Sequence, residues 1–201
     1  MQRAVAPRLD ASRPGLRAAG LIPVALAAAT SVAFLSILGN EFVDWDDTRN
    51  LLENPSYRGL GLAQLRWMAT ESHHGHFVPL TWLILAFDYV VWGMNPAGYH
   101  LTGVVIHTGA TATLYLVARA LIAGAAPMAA GAATAGAAVA ALLFGLHPLR
   151  VESVAWATER RDVLSGLSFQ GPEARACAEF EVLRRQHCDL AAEVVPTGGS
   201  S

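Results

Sequence analysis

Three carboxylates, those of Asp44, Asp46 and Asp47, lie close together shortly after an apolar segment at positions 20–39. Like charges at the mouth of a membrane helix repel one another beside a low-dielectric wall, so they favour a bound cation, a proton or a substrate. A carboxylate placed there can act as a general base toward an acceptor hydroxyl, or it can bind a divalent cation. The alternative is a solvated acidic loop that carries no chemistry.

A second group of polar residues follows another apolar segment, which ends at position 146. Its members are His147, Glu152, Arg160, Arg161 and Asp162. Arginines beside an acid at a membrane surface suit a phosphate group on a lipid, because guanidinium and phosphate form paired hydrogen bonds. A continuous helix over positions 151–162 would place Glu152, Trp156 and Glu159 on one face. The alternative is an ordinary amphipathic interface helix with ion pairs among its own side chains.

Two further sets of potential ligands carry less weight. His73, His74 and His76 lie together in a loop, but their spacing is poor geometry for a rigid metal site. Cys177 and Cys188 have no metal-type spacing around them, so neither a disulfide framework nor a zinc site is expected. The sequence also contains no Walker loop, nucleophile elbow or Rossmann glycine pattern.

The composition indicates a polytopic membrane protein. The chain of 201 residues is 53% hydrophobic and 15% charged, whereas ordinary soluble domains carry about 25% charged residues. Its apolar residues are gathered into long runs. The formal net charge is −2, and no basic stripe is present, so nucleic acid is not an expected partner.

The apolar runs predict an all-α fold with three membrane spans, because about 20 apolar residues cross a ~30 Å hydrocarbon core. The predicted spans cover positions 20–39, 101–126 and 128–146. An outer loop at 40–100 is predicted to contain a short amphipathic helix at 60–69 and an interfacial helix at 78–94. Residues 170–201 differ in composition from the rest and are predicted to form a disordered tail.

The charge before the first span predicts its orientation. Positions 1–19 carry four arginines (Arg3, Arg8, Arg13 and Arg17) against one acid, so this segment is expected in the cytoplasm. The first span could instead be a signal peptide, but the run is too long for a typical signal, and residues 38–41 form a poor cleavage site. An uncleaved membrane helix is therefore the prediction.

Several motifs, in order, resemble one family. They are FVDWDD at 42–47, ENP at 53–55, GHFVPLTW at 75–82, NPAGYHL at 95–101, LHPLRVESVAW at 146–156 and ERRDVLS at 159–165. This set resembles the N-terminal membrane region of bacterial tetratricopeptide-repeat membrane proteins. Those proteins are similar to the eukaryotic transmembrane and tetratricopeptide-repeat O-mannosyltransferases, which are GT-C glycosyltransferases. The resemblance covers positions 20–169.

The resemblance implies a multi-pass GT-C membrane enzyme, here of the bacterial inner membrane. Such an enzyme transfers a mannose-like sugar from a polyprenyl-phosphate carrier to a protein or glycan acceptor on the outer face. It implies catalytic roles for Asp46 and Asp47, with Asp46 favoured as the base, and no certain cofactor beyond a possible divalent cation at that pair. It also implies that the lipid phosphate and substrate are bound by His147, Glu152, Arg160, Arg161 and Asp162.

The sequence departs from the family pattern at two places. Val78 stands where the family usually has a basic residue or histidine, and the chain contains no 34-residue repeat. Together with the unmatched segment 170–201, this predicts a truncated or frameshifted amino-terminal fragment. Alone it is expected to lack activity, because the missing helices would be needed to exclude water. The alternative from another class is a membrane-anchored structural or interaction protein.

Overall fold

The computed structural model describes residues 14–125 and 129–165. The helices within them are α1 (Pro14–Phe34), α2 (Leu62–Thr70), α3 (Pro79–Trp92), α4 (Pro96–Ala125), α5 (Ala130–Gly145) and α6 (Arg150–Ala155). Short 3-10 turns lie at Leu35–Gly39 and Pro55–Tyr57, and a π turn lies at Thr48–Leu52. Apart from one isolated bridge between His73 and His76, these residues form no β-structure. The prediction of an all-α fold is confirmed.

Two helical segments of the described chain are long and apolar enough to cross a membrane, namely Gly20–Gly39 and Pro96–Ala125. The first has the predicted bounds. The second begins five residues before the predicted position 101, because Pro96 occupies the first turn and the Asn95 side chain accepts a hydrogen bond from Ala97 N–H at 3.1 Å. Its 30 residues extend about 45 Å at 1.5 Å per residue.

The third predicted span, at 128–146, corresponds to a shorter helix. α5 has 16 residues and extends about 24 Å, less than the ~30 Å of a hydrocarbon core. It is made largely of alanine and glycine, which allows a close approach to α4 and α1. Leu26 of α1, Tyr115 of α4 and Ala137 of α5 are buried together where the three helices meet.

A second core lies under the long loop between α1 and α3. Its buried members come from this loop, α2, α3, the first turn of α4 and the segment after α6: Leu51, Tyr57, Met68, Trp82, Leu85, Ala86, Tyr99 and Ala157. The predicted helix at 60–69 is therefore α2, one or two residues later in the chain. The predicted interfacial helix at 78–94 is α3, which begins at Pro79 and ends before Gly93, whose φ is +64°.

The continuous helix over 151–162, on which a shared face of Glu152, Trp156 and Glu159 depended, does not form. α6 ends at Ala155, Trp156 has extended backbone angles, and helical structure resumes only at residues 160–165. Glu152, Trp156 and Glu159 therefore do not share a helical face. The physical reason is tertiary, because the backbone of the intervening segment donates to a side chain of the acidic loop instead of continuing the helix.

Two predicted segments lie partly or wholly outside the described residues. These are the cytoplasmic segment 1–19, which is described only from residue 14, and the tail at 170–201. Helical structure at residues 160–165 ends the described part of the chain.

Candidate functional site

A polar cleft of about 200 Å³ lies where the acidic loop, the histidine turn, α3 and the segment after α6 meet. Its walls are formed by Asp46, Arg49, Asn50, His73, His74, His76, Val78, Thr81, Trp82, Leu85, Thr158, Glu159 and Arg161. The cleft brings together one residue of the first predicted cluster and one of the second, Asp46 and Arg161. These two residues are separated by more than a hundred positions in the sequence.

The acidic pair is divided between two environments. Asp47 is only 1% exposed, and its carboxylate accepts three hydrogen bonds. Thr158 donates to Oδ1 through its backbone N–H at 3.0 Å and its hydroxyl at 2.8 Å. Val43 N–H donates to Oδ2 at 3.1 Å. Both oxygens of Asp47 are therefore used inside the protein.

Asp46 and Asp44 have different surroundings from Asp47. Asp46 is half-buried and lines the cleft, while its backbone carbonyl accepts from the Asn50 amide at 2.8 Å. Asp44 is exposed and accepts from the Thr48 hydroxyl at 3.0 Å. Of the three carboxylates, Asp46 is thus the one that lines the polar cleft beside Arg49.

Arg160 and Arg161 also face in different directions. Arg160 is 2% exposed, forms an ion pair with Asp88 of α3, and donates to the Tyr99 carbonyl of α4 at 2.6 Å. Burial raises the pKa of the Asp88 carboxyl, and this rise is opposed by Arg160 and by the Thr102 hydroxyl, which donates to Asp88 at 2.6 Å. Arg160 therefore holds the segment after α6 against α3 and α4, with no free face toward a phosphate.

Arg161 is the arginine that lines the cleft. Its guanidinium donates to the Glu159 carboxylate at 2.9 and 3.3 Å, and its side chain remains 39% exposed. Ion pairs that leave the arginine this accessible to water are worth about 0–1 kcal/mol. The pair is therefore weak enough for another anion to compete for Arg161.

The other residues of the second predicted cluster lie elsewhere. His147 is exposed, and its Nδ1 accepts from Leu149 N–H at 3.2 Å. Glu152 is exposed on α6 and does not line the cleft. Asp162 is exposed and lines an adjacent groove with Arg161. The structure therefore brings Arg161, but neither His147 nor Glu152, to the cleft lined by Asp46.

A tight turn presents the three histidines to the cleft. His73 and His76 exchange backbone hydrogen bonds at 3.1 and 3.0 Å, and positive φ angles at His74 and Gly75 close the turn between them. The His73 ring packs edge-on against Trp67 and Trp82, with centroids 5.8 and 5.3 Å away. Burial, followed by the nearby His74, lowers the pKa of His73, which favours its neutral form.

Two neighbouring depressions extend the cleft in different directions. An apolar groove of about 410 Å³ shares Val78, Thr81 and Arg161 with it and continues along Pro79, Leu80 and Leu164. A shallow polar depression of about 460 Å³ shares Asp46 and Arg49 and continues past the exposed Trp45. The cleft thus connects to an apolar surface at Arg161 and to a polar surface at Asp46.

Comparison of the sequence with curated proteins identifies relatives of this chain. The chain is 37% identical over 142 residues to the protein O-mannosyl-transferase Tmtc1 of Drosophila melanogaster. The matched region covers 67% of this chain and 15% of that protein. It is 30% identical over 168 residues to human TMTC1, covering 76% of this chain and 18% of that protein. Drosophila Tmtc2 is 34% identical over 143 residues, 66% of this chain and 14% of its own length.

This chain is homologous to the protein O-mannosyl-transferases. The resemblance of the motifs to the transmembrane and tetratricopeptide-repeat O-mannosyltransferases is therefore confirmed. The chain spans between 14% and 18% of the length of these relatives. No protein-family model matches the chain, and no solved structure matches it.

The surroundings of the acidic pair bear on the divalent cation that the sequence left possible there. Within residues 14–125 and 129–165, no group of three or more histidine, cysteine, aspartate and glutamate side chains is arranged to hold a metal ion. Both carboxylate oxygens of Asp47 accept hydrogen bonds. Asp46 lines the cleft together with two cationic side chains, Arg49 and Arg161. The divalent cation that the sequence left possible at the acidic pair stays a prediction.

Sequence reasoning missed the residues that assemble the site. Thr158 gave no signal, because a single threonine in a polar segment is ordinary. Asp88 did give a signal, because it places a charge inside an apolar helix and a buried carboxylate requires a partner. That requirement could have pointed to Arg160, but the sequence alone offers other cations, including Arg161, for the same position.

Proposed function

We propose that this chain is part of a membrane glycosyltransferase of GT-C type, which transfers a mannose-like sugar from a polyprenyl-phosphate carrier to a protein acceptor. One observation carries the proposal: the polar cleft lined by Asp46 opens into an apolar groove at Arg161. The groups of a lipid-linked sugar follow the same order as these surfaces: a polar sugar, a charged phosphate and a hydrocarbon tail. The homologous enzymes are named protein O-mannosyl-transferases, which supports mannose and a protein acceptor.

The polar cleft and the apolar groove together give the donor a single orientation in the site. The phosphate contacts Arg161, whose side chain is 39% exposed and, among the described residues, forms an ion pair with Glu159. The isoprenoid lies along the apolar groove at Pro79, Leu80 and Leu164, and the sugar lies in the polar cleft. Val78 lines both cavities, so the position where the family usually has a cation serves here as an apolar wall.

The proposed reaction is a displacement at the anomeric carbon. The acceptor hydroxyl oxygen forms a bond to that carbon while the bond from carbon to phosphate oxygen breaks, and the leaving phosphate keeps the electron pair. Asp46 takes the hydroxyl proton as general base. Arg161 stabilises the charge that develops on the departing polyprenyl phosphate. The acceptor approaches from the polar depression on the Asp46 side.

The proposed location is the bacterial inner membrane, with the amino terminus in the cytoplasm and the cleft on the outer face. The arginines of the first nineteen residues support this orientation through the positive-inside rule. The homologues are five to seven times longer than the matched region. The further helices and tetratricopeptide repeats of the resembling family are therefore proposed as the rest of the active enzyme.

Binding of polyprenyl phosphate to this chain in nanodiscs tests the donor site. Arg161→Ala is expected to weaken binding at least about tenfold, the loss of about 1.4 kcal/mol in free energy. Arg66→Ala is the matched control, because Arg66 is an exposed arginine on α2 that does not line the cleft. Equal binding by wild type and Arg161→Ala would contradict the donor site. Absence of binding by the wild type would favour a structural membrane protein.

Sugar transfer by the full-length homologue tests the base. Replacing the aspartate that aligns with Asp46 by asparagine is expected to lower the transfer rate about 10²–10⁴-fold, the range for loss of a general base. The control is the exposed carboxylate that aligns with Glu71, which lines neither the cleft nor its two neighbouring depressions and where glutamine is expected to leave the rate unchanged. Undiminished transfer by the first variant would remove Asp46 from the mechanism.

A further inference from the structure

We infer that Asp47 and Thr158 form a clasp that positions Arg161 opposite Asp46, so that Asp47 acts as a positioning residue and not as a second catalytic carboxylate. The clasp consists of the Asp47 carboxylate, the backbone N–H and hydroxyl of Thr158, and the N–H of Val43. The inference rests on the proposed function for what Arg161 contacts. The clasp itself is defined by geometry alone.

The clasp joins parts of the chain that nothing local holds together. Asp47 and Thr158 are 111 residues apart. Two hydrogen bonds from one residue to one carboxylate oxygen fix both the position and the direction of the segment after α6. Hydrogen bonds to a charged acceptor are stronger than those between neutral groups, so the segment is held firmly at this point.

A second anchor lies two residues further along the same segment. Arg160 is buried and bound to Asp88 and to the Tyr99 carbonyl. Thr158 and Arg160 therefore fix the backbone on both sides of Glu159. The side chains between and after these anchors, Glu159 and Arg161, are left to line the cleft.

The clasp also determines what Asp46 can do. Because Asp47 turns inward and uses both of its oxygens, its neighbour Asp46 lines the cleft without the Asp47 carboxylate beside it. The adjacent carboxylates thus have separate tasks. Asp47 sets the distance between the two walls, and Asp46 faces the acceptor hydroxyl.

Thr158→Val and Thr158→Ser separate the hydroxyl from the rest of the side chain. Valine keeps the shape and removes the 2.8 Å bond to Asp47, whereas serine keeps the hydroxyl. Two measurements apply to the full chain in nanodiscs: polyprenyl-phosphate affinity, and the distance distribution between spin labels at Glu53→Cys and Ser165→Cys. Both label sites are exposed, and Cys177 and Cys188 are replaced by serine to leave two thiols.

Thr158→Val is expected to broaden the distance distribution and to weaken polyprenyl-phosphate binding about three- to tenfold, while Thr158→Ser restores both. An unchanged distribution in Thr158→Val, or equal defects in both variants, would overturn the clasp. Thr158→Ala provides the same test if the valine variant does not fold. If the wild type binds no polyprenyl phosphate, the proposed function fails, and the distance distributions still decide whether the clasp exists.

Discussion

Neighbouring residues of the same type have opposite surroundings at two points in this chain. Asp46 lines a cleft while Asp47 is buried in hydrogen bonds, and Arg161 is half-exposed while Arg160 is buried in an ion pair. In each pair the buried residue builds the site and the other faces it. A ligand can therefore be contacted by Asp46 and Arg161 only because Asp47 and Arg160 have partners inside the protein.

The buried ion pair predicts a large effect of removing one charge. Asp88→Asn keeps the shape of the side chain but leaves Arg160 charged and unpaired, which is expected to lower the free energy of unfolding by about 3–5 kcal/mol. Thermal or denaturant unfolding in detergent micelles, followed by circular dichroism, measures the change.

Glu159→Gln is the matched control, because it breaks an ion pair whose arginine is 39% exposed. The expected loss there is about 0–1 kcal/mol. A double variant, Asp88→Leu with Arg160→Met, removes both buried charges and is expected to recover most of the stability. Equal losses of unfolding free energy in Asp88→Asn and Glu159→Gln would show that burial of the Asp88–Arg160 pair does not increase the cost of breaking it.

At the scale of elements, α4 connects the membrane bundle to the site. Its middle and final turns pack against α1 and α5, and its first turn supplies the Tyr99 carbonyl that holds Arg160. α5 ends against the same helix, where the Gly145 carbonyl lies 3.1 Å from His107 Nε2. Because α4 takes part in both regions, the packing of α1 and α5 contributes to the placement of the cleft.

Close approach of α5 to α4 and α1 predicts that Gly145→Ala is destabilising. A Cβ there would lie 2.7 Å from Thr111 Cγ2 and 2.9 Å from Thr30 Oγ1, distances that force the helices apart. Overpacking of this kind costs about 1–3 kcal/mol. The midpoint of thermal unfolding in detergent is expected to fall accordingly.

Gly136→Ala on the same helix provides the control. Its added Cβ would meet only the flexible end of Ile122, at 3.4 Å, and alanine favours the helix by up to about 1 kcal/mol over glycine. This variant is expected to be neutral or slightly stabilising. A midpoint that stays unchanged in Gly145→Ala would mean that α5 can shift without cost.

For the whole molecule, the polar site lies at one end of the apolar helices. The cleft is formed by the long loop after α1, by α3 and by the segment after α6. An apolar groove leads away from it at Arg161. A polar and an apolar surface therefore lie side by side at this end of the helices.

Topology in cells tests this arrangement. With Cys177 and Cys188 replaced by serine, Ser72→Cys is expected to react with a membrane-impermeant maleimide in intact bacterial spheroplasts. Ala125→Cys, at the other end of α4, is expected to react only after lysis. Both positions are exposed. The reverse pattern would invert the orientation and place the cleft on the cytoplasmic side.

Much of the architecture was predictable from local sequence. The bounds of the first span, the approximate positions of α2, α3 and α5, and the location of the acidic cluster all follow from apolar runs, turn residues and charges within about 20 positions. The predicted span at 101–126 begins five residues late, because hydropathy rises only at position 101, whereas Asn95 caps the helix and Pro96 begins it.

The sequence by itself determined the helices and the two polar clusters, because hydropathy and capping depend on neighbours in the chain. Only the tertiary structure decided which member of each charged pair faces the cleft. Asp47 is turned inward by Thr158, 111 residues away, and Arg160 by Asp88, 72 residues away. A buried charge must find a partner or lose its solvation, and which partner lies within reach is a property of the folded chain.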